Sequence, residues 1–140
     1  MPSNKKPRKR KTQKASLLPI TIRHSEETEI ALQLAPHAEL MKFREGIATE
    51  ESWHTIVARL NVGLVALQQN HGQTKAVEAA LNAMIKVKER NQKTGKWILS
   101  GQDYKEIGLG LGDTDSAQLS LTRKQFAKAI EYVFKTAAID

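Results

Sequence analysis

The chain contains no cysteine, which excludes a disulfide framework and every cysteine-based zinc site and fits a reducing cytosol. No run approaches the ~20 consecutive apolar residues of a membrane-spanning helix, so no membrane partner is expected. The first 14 residues hold no acid and no aromatic, and no apolar segment follows them as it would in a secretory signal. His24, His37, His54 and His71 are never three or four residues apart, so a helical metal pair is missing. The Gly108-Leu-Gly-Leu-Gly112 run lacks the Lys-Ser/Thr of a phosphate loop and the spacing of a dinucleotide fingerprint, and reads as a joint or a close helix contact. Asp103, Glu106, Asp113 and Asp115 form a local acidic cluster and read as a solvated loop and helix start. No Ser-His-Asp set or catalytic carboxylate pair stands out. The expectation is a non-enzymatic protein without cofactor or metal.

What is present is charge of one sign at one end. Lys5, Lys6, Arg8, Lys9, Arg10, Lys11 and Lys14 crowd the start of a chain of 140 residues with a net charge of +7. With those seven removed from the 22 Lys and Arg, 15 cations remain against 15 Asp and Glu. The remainder is formally neutral, so the high isoelectric point belongs to a tail. Residues 1–19, with like charges and early prolines, are expected to form a disordered basic arm. Residues 20–140, in a chain that is 40% hydrophobic overall, suffice for one folded domain.

Within that domain the apolar spacing is helical. Pro36 suits a first turn and Gly46 a helix end, so a helix is predicted over 36–45. Residues 28–35 read either as an extended lead-in or as a helical stretch kinked at Pro36. Thr49, followed by Glu50 and Glu51, is a helix start, and Trp53, Ile56, Val57, Leu60, Leu64 and Leu67 make one apolar stripe ending at His71-Gly72. A third helix is predicted over 74–91 with Val77, Leu81, Met84 and Ile85 inward. Lys96 to Leu99 reads as a short extended segment with Trp97 buried; Trp53 and Trp97 are both assigned to the core. Ser100 would cap a fourth helix, broken near Gly112-Asp113 by its glycines. Thr122 and Gln125 match a capping box ahead of Phe126, Ala129, Ile130, Val133 and Phe134. The fold class is all-α, a compact bundle of four to five helices with a basic N-terminal arm.

Seven clustered cations match a nucleic-acid-binding tail, because each phosphate they neutralise releases a condensed counterion. The arm holds no aromatic residue on which bases would stack. A second cluster, Lys86, Arg90 and Lys93 at i, i+4 and i+7 with Lys96 beyond, could extend a phosphate-tracking patch, although cations at a helix C-terminus are also favoured by the helix dipole. Arg123 and Lys124, with Lys128, open the last helix and invite a helix-turn-helix reading. That reading is disfavoured, because the preceding helix would end in Asp113 and Asp115 and leave a long linker.

The segments Gly46-Ile-Ala-Thr-Glu-Glu-Ser-Trp53 with Leu60-Asn61, Glu89-Arg90 with Thr94-Gly-Lys-Trp97 and Ser100-Gly101, and Asp115 with Gln118-Leu119 and Thr122 resemble a group of small prophage and mobile-element proteins of proteobacteria. Some of that group are described as Fis-like transcriptional regulators. The resemblance implies a bacterial cytoplasm, nucleoid-associated if the target is DNA, and an accessory phage or plasmid role. It transfers no site residue. The expected partner is nucleic acid, DNA or RNA, or a nucleoprotein complex. The alternative is a protein-interaction module that inhibits or modulates a host system, an anti-defence protein for example.

Overall fold

The computed structural model describes residues 17–21 and 25–138. Among them the chain forms six helices and no strand: α1 (Glu26–Leu34), α2 (Pro36–Glu45), α3 (Glu50–Gln69), α4 (Lys75–Thr94), α5 (Gly101–Leu119) and α6 (Arg123–Ala137). No helix among the described residues is long and apolar enough to cross a membrane.

The extra helix relative to expectation comes at the start. Residues 26–34 are helical, with Ser25 capping Thr28 N–H, and the chain passes from α1 to α2 through Ala35 alone. Pro36 makes this possible. It sits at the first position of α2, where a missing N–H costs nothing, and its ring prevents α1 from running straight on. Of the apparent alternation Ile30, Leu32, Leu34, only Leu32 is buried.

α3 is the axis of the bundle, contacting α1, α2, α4, α5 and α6. Its apolar stripe is only part of its buried surface, since every residue from Ser52 to Ala66 is buried. A helix covered on all sides needs apolar or internally satisfied residues all round. Trp53 anchors α3 to α4 by donating its indole N–H to Met84 O at 2.9 Å, with the Lys88 ammonium 4.6 Å from its ring. On α4, Val77, Leu81 and Met84 are buried, while Ile85 faces outward, one residue too far round the helix. Trp97 is half-buried rather than enclosed, and the 96–99 segment has no regular structure.

The predicted break at Gly112-Asp113 does not occur, and α5 runs unbroken to Leu119. Gly110 explains why. A Cβ there would collide with Ala80 and come within 3.0 Å of Ala76 O, so the absent side chain lets α5 lie closely against α4. That contact outweighs the weak helix propensity of glycine, about 1 kcal/mol per residue. The connection to α6 is consequently only Ser120–Thr122. The long linker held against a helix-turn-helix is thus not there, but α6 packs its apolar face on α3. The capping box at Thr122 and Gln125 forms as expected.

Candidate nucleic-acid interface

Lys5, Lys6, Arg8, Lys9, Arg10, Lys11 and Lys14 lie outside the described residues. Where the description begins, Leu17 and Leu18 are partly buried against the hydrophobic core. The fully buried Asn61 of α3 clamps Leu18 from both sides, accepting from its N–H at 3.2 Å and donating to its carbonyl at 2.9 Å. Ile20 N–H donates to Ala137 O at 3.0 Å, and Ile20 is wholly buried. Thr21 N–H donates to His54 Nδ1 at 3.3 Å. Residues 18–21, the arm's root, are therefore held between α3 and the end of α6.

Of the second cluster, Lys86, Lys93 and Lys96 are exposed and form no ion pair among the described residues. Arg90 shares their side of α4 but is drawn into the fold: its guanidinium donates to Ile98 O at 2.7 Å and to Asp103 at 3.1 Å. Arg123 and Lys124 are exposed at the start of α6. There Arg123 lines a hollow with Glu26, Ile30 and Gln33 of α1. Lys93 and Lys96 flank the connection into α5. The start of α6 also lies about 20 Å along that helix from the arm's root, at 1.5 Å per residue.

The acidic cluster divides in two. Asp103 is buried, accepting from Ser100 N–H and Arg90. Burial alone would raise its carboxyl, but the bonds from Ser100 and the Arg90 charge outweigh this and hold it below the usual carboxylate range. Asp115 belongs to a polar network around Arg59, a residue hidden inside the apolar stripe of α3. Arg59 is 1% exposed. It donates to Thr114 Oγ1 at 3.1 Å, Leu32 O at 3.2 Å, Asp115 at 3.0 Å and Gln118 at 2.6 Å. The Phe126 ring lies 5.3 Å from its guanidinium. Asp115 also meets His37 at 2.7 Å. Arg59 thus ties α1, α5 and α6 to α3; burial pulls its pKa below the usual arginine value, and Asp115 counters this.

His54 is the remaining buried titratable group. Since Nδ1 accepts from Thr21 N–H, Nε2 carries the ring proton, with Thr21 Oγ1 at 3.1 Å and Glu50 at 3.5 Å. Burial pushes the imidazole below its ordinary value, Lys88 adds to this, and Glu50 partly reverses it. His54 borders a hollow of about 700 Å³ with Glu27, Glu50, Glu51 and Thr55. No group of three or more His, Asp or Glu among the described residues is placed to hold a metal ion. Each hydrogen-bonded buried side chain described here holds helices or the arm's root together.

No protein-family model, curated protein or solved structure matches the chain.

Proposed function

We propose that this chain is a phage- or mobile-element-encoded accessory protein of the bacterial cytoplasm that binds nucleic acid, or a nucleoprotein complex, through its basic N-terminal arm. The segregation of charge carries this reading: seven cations and no acid in residues 1–14, against a formally neutral remainder. A neutral bundle offers a polyanion no long-range attraction of its own, whereas the arm offers it in concentrated form. The buried attachment of Leu18, Ile20 and Thr21 supports the same division of labour, since it holds the arm's root at a fixed point on the bundle. The exposed Lys86, Lys93 and Lys96, and separately Arg123 and Lys124, would add local phosphate contacts on either side, with Arg90 contributing less because it is already paired.

The test measures affinity for duplex DNA, single-stranded DNA and RNA across a salt series. It compares the full-length chain with a full-length variant in which the seven arm cations are changed to Gln. For duplex DNA, the native slope of log K against log salt is expected near −4 to −6, from about −0.9 per phosphate contact. The variant should lose most of that slope. Equal affinity of the two proteins for every nucleic acid would overturn the reading.

A second reading, a module that binds and modulates a host protein, is favoured by one observation: a hollow between α2 and α5 that leaves Ile98 exposed beside the half-buried Trp97 and Tyr104.

A further inference from the structure

The hollow beside His54, about 700 Å³, lies between the starts of α1 and α3 and carries charge of one sign. Glu27, Glu50 and Glu51 line it, and no Lys or Arg among the described residues does. Lys88, which acts on His54 from the same helix layer, stands over the Trp53 ring instead. Glu27 and Glu51 form no ion pair among the described residues, and Glu50 has only His54 at 3.5 Å. Acids in a first turn are favoured by the helix dipole, so the carboxylates alone mark no site. Thr55 adds what they lack. It is 9% exposed, lines the hollow one turn after Glu51, and its hydroxyl makes no hydrogen bond among the described residues. A threonine inside a helix ordinarily turns its hydroxyl back to the carbonyl one turn earlier. Thr55 does not, and its buried hydroxyl is left to the hollow, where a polar group without a partner is unfavourable.

Carboxylates accept hydrogen bonds and donate none, and the Thr55 hydroxyl can accept as well, so the group that suits them is a cation that only donates. The chain itself holds such donors within reach. Residues 5–14 carry five Lys, two Arg and no acid. Leu18 is held at Asn61, ten residues along α3 from Glu51 and therefore about 15 Å from it at 1.5 Å per residue. An extended chain covers about 3.3–3.6 Å per residue, so the six cations from Lys11 back to Lys5 can all return to the hollow. A tethered segment also meets the hollow at an effective concentration that a free amine lacks.

We propose that the hollow between α1 and α3 seats the chain's own basic arm. A cationic side chain from residues 5–11 lies among Glu27, Glu50 and Glu51, and Thr55 Oγ1 accepts a hydrogen bond from it. Arm and bundle are then joined twice, by the buried residues 18–21 and by this ionic contact. Exposed carboxylates hold a cation weakly in water, so the second join is reversible and yields to a denser array of negative charge. Under the nucleic-acid reading, on which this consequence alone rests, the hollow keeps the arm on the bundle until phosphates draw it off.

The absence of cysteine makes the test direct. Ser3→Cys gives the full-length chain a single thiol for a nitroxide label, which erases the amide NMR signals of residues near it. At low salt and without nucleic acid, Glu27, Glu50, Glu51 and Thr55 are expected to lose more signal than exposed residues elsewhere, such as Glu78 and Glu131. The loss should vanish in about 1 M salt, where the screening length falls to about 3 Å. It should vanish as well in a labelled variant carrying Glu27→Gln, Glu50→Gln and Glu51→Gln. A labelled control with Glu78→Gln, Glu89→Gln and Glu131→Gln changes the net charge equally and should retain the loss. All six positions are exposed, and unchanged circular dichroism confirms that both variants are folded. The proposal is overturned if the hollow loses no more signal than the rest of the surface, if the two triple variants behave alike, or if the loss persists in high salt. None of these readouts involves nucleic acid, so this contact and the arm's polyanion reading fail independently.

Discussion

Arg59 shows how one residue can decide a fold without belonging to its hydrophobic pattern. Its charge is buried, yet its only anionic partner among the described residues, Asp115, keeps its side chain 47% exposed. The two partners should therefore respond differently to removal. Arg59→Met leaves Asp115 in contact with water and strands mainly the Leu32 carbonyl, an expected loss of about 1–3 kcal/mol. Asp115→Asn leaves a buried guanidinium without its counter-charge, an expected loss of about 3–5 kcal/mol. Urea unfolding of both variants decides the order; a larger loss for Arg59→Met would mean that packing, not charge, dominates there. His54 gives a pH signature. Its folded-state pKa lies below the ordinary value of 6.5, so the unfolded chain binds the proton more readily. Its contribution is complete above that value and is lost as pH falls below it, until the folded form protonates as well. In urea midpoints at about pH 7.5 and about pH 5.5, the native chain should weaken more on acidification than His54→Asn. Neither residue could be singled out from the sequence. Arg59 lies between Ile56 and Leu60 and His54 beside Trp53, and nothing in a linear pattern tells which way either side chain turns.

At the scale of elements, α5 carries the sharpest test. Gly110 faces Ala76 and Ala80, while a Cβ at Gly112 would meet nothing within 4 Å. Gly112→Ala should thus stabilise the chain by about 0.5–1 kcal/mol, the ordinary helix preference for alanine. Gly110→Ala should destabilise it by about 1–3 kcal/mol through overpacking, despite the same preference. Thermal unfolding of the two variants should move in opposite directions. A shared direction would show that the α4–α5 contact does not depend on Gly110. Three glycines within five residues of one helix look like a break when each is counted as a propensity penalty, and only the facing helix reveals that one of them is a contact. The helices with clear termini were the legible ones: Gly46 closes α2, Thr49 opens α3, and Thr122 with Gln125 opens α6. α1 was ambiguous because its apolar residues are few and only Leu32 faces inward.

For the molecule as a whole, the consequential join is that between arm and bundle. Asn61 is wholly buried and spends both ends of its amide on Leu18. Asn61→Ala should release the arm's root, at a cost of about 1–3 kcal/mol for the unpaired backbone groups. Amide exchange at Leu18, Ile20 and Thr21 should accelerate more than exchange in α4, where the contacts are untouched. Uniform acceleration throughout would mean that Asn61 supports the whole core rather than the join. The placement of charge belongs to this scale too. Lys86, Arg90 and Lys93 form one line along α4, but their relation to Arg123 and Lys124 depends on where α4 and α6 sit around α3.

The sequence by itself determined the features that depend on neighbours along the chain: helical character, most helix ends, the inward stripes of α3, α4 and α6, and the separation of a basic arm from a neutral remainder. Caps, apolar spacing and net charge act within a few residues, so they can be read in order. Only the tertiary structure decided that α5 stays whole, that α3 is enclosed on every side, and that Arg59, Asp103 and Arg90 serve the fold. Each of these depends on which helix faces which, and that is set by packing between residues far apart in sequence. For the basic clusters, order along the chain supplied the charges, and tertiary contacts drew Arg90 into the fold while leaving Lys86, Lys93 and Lys96 exposed.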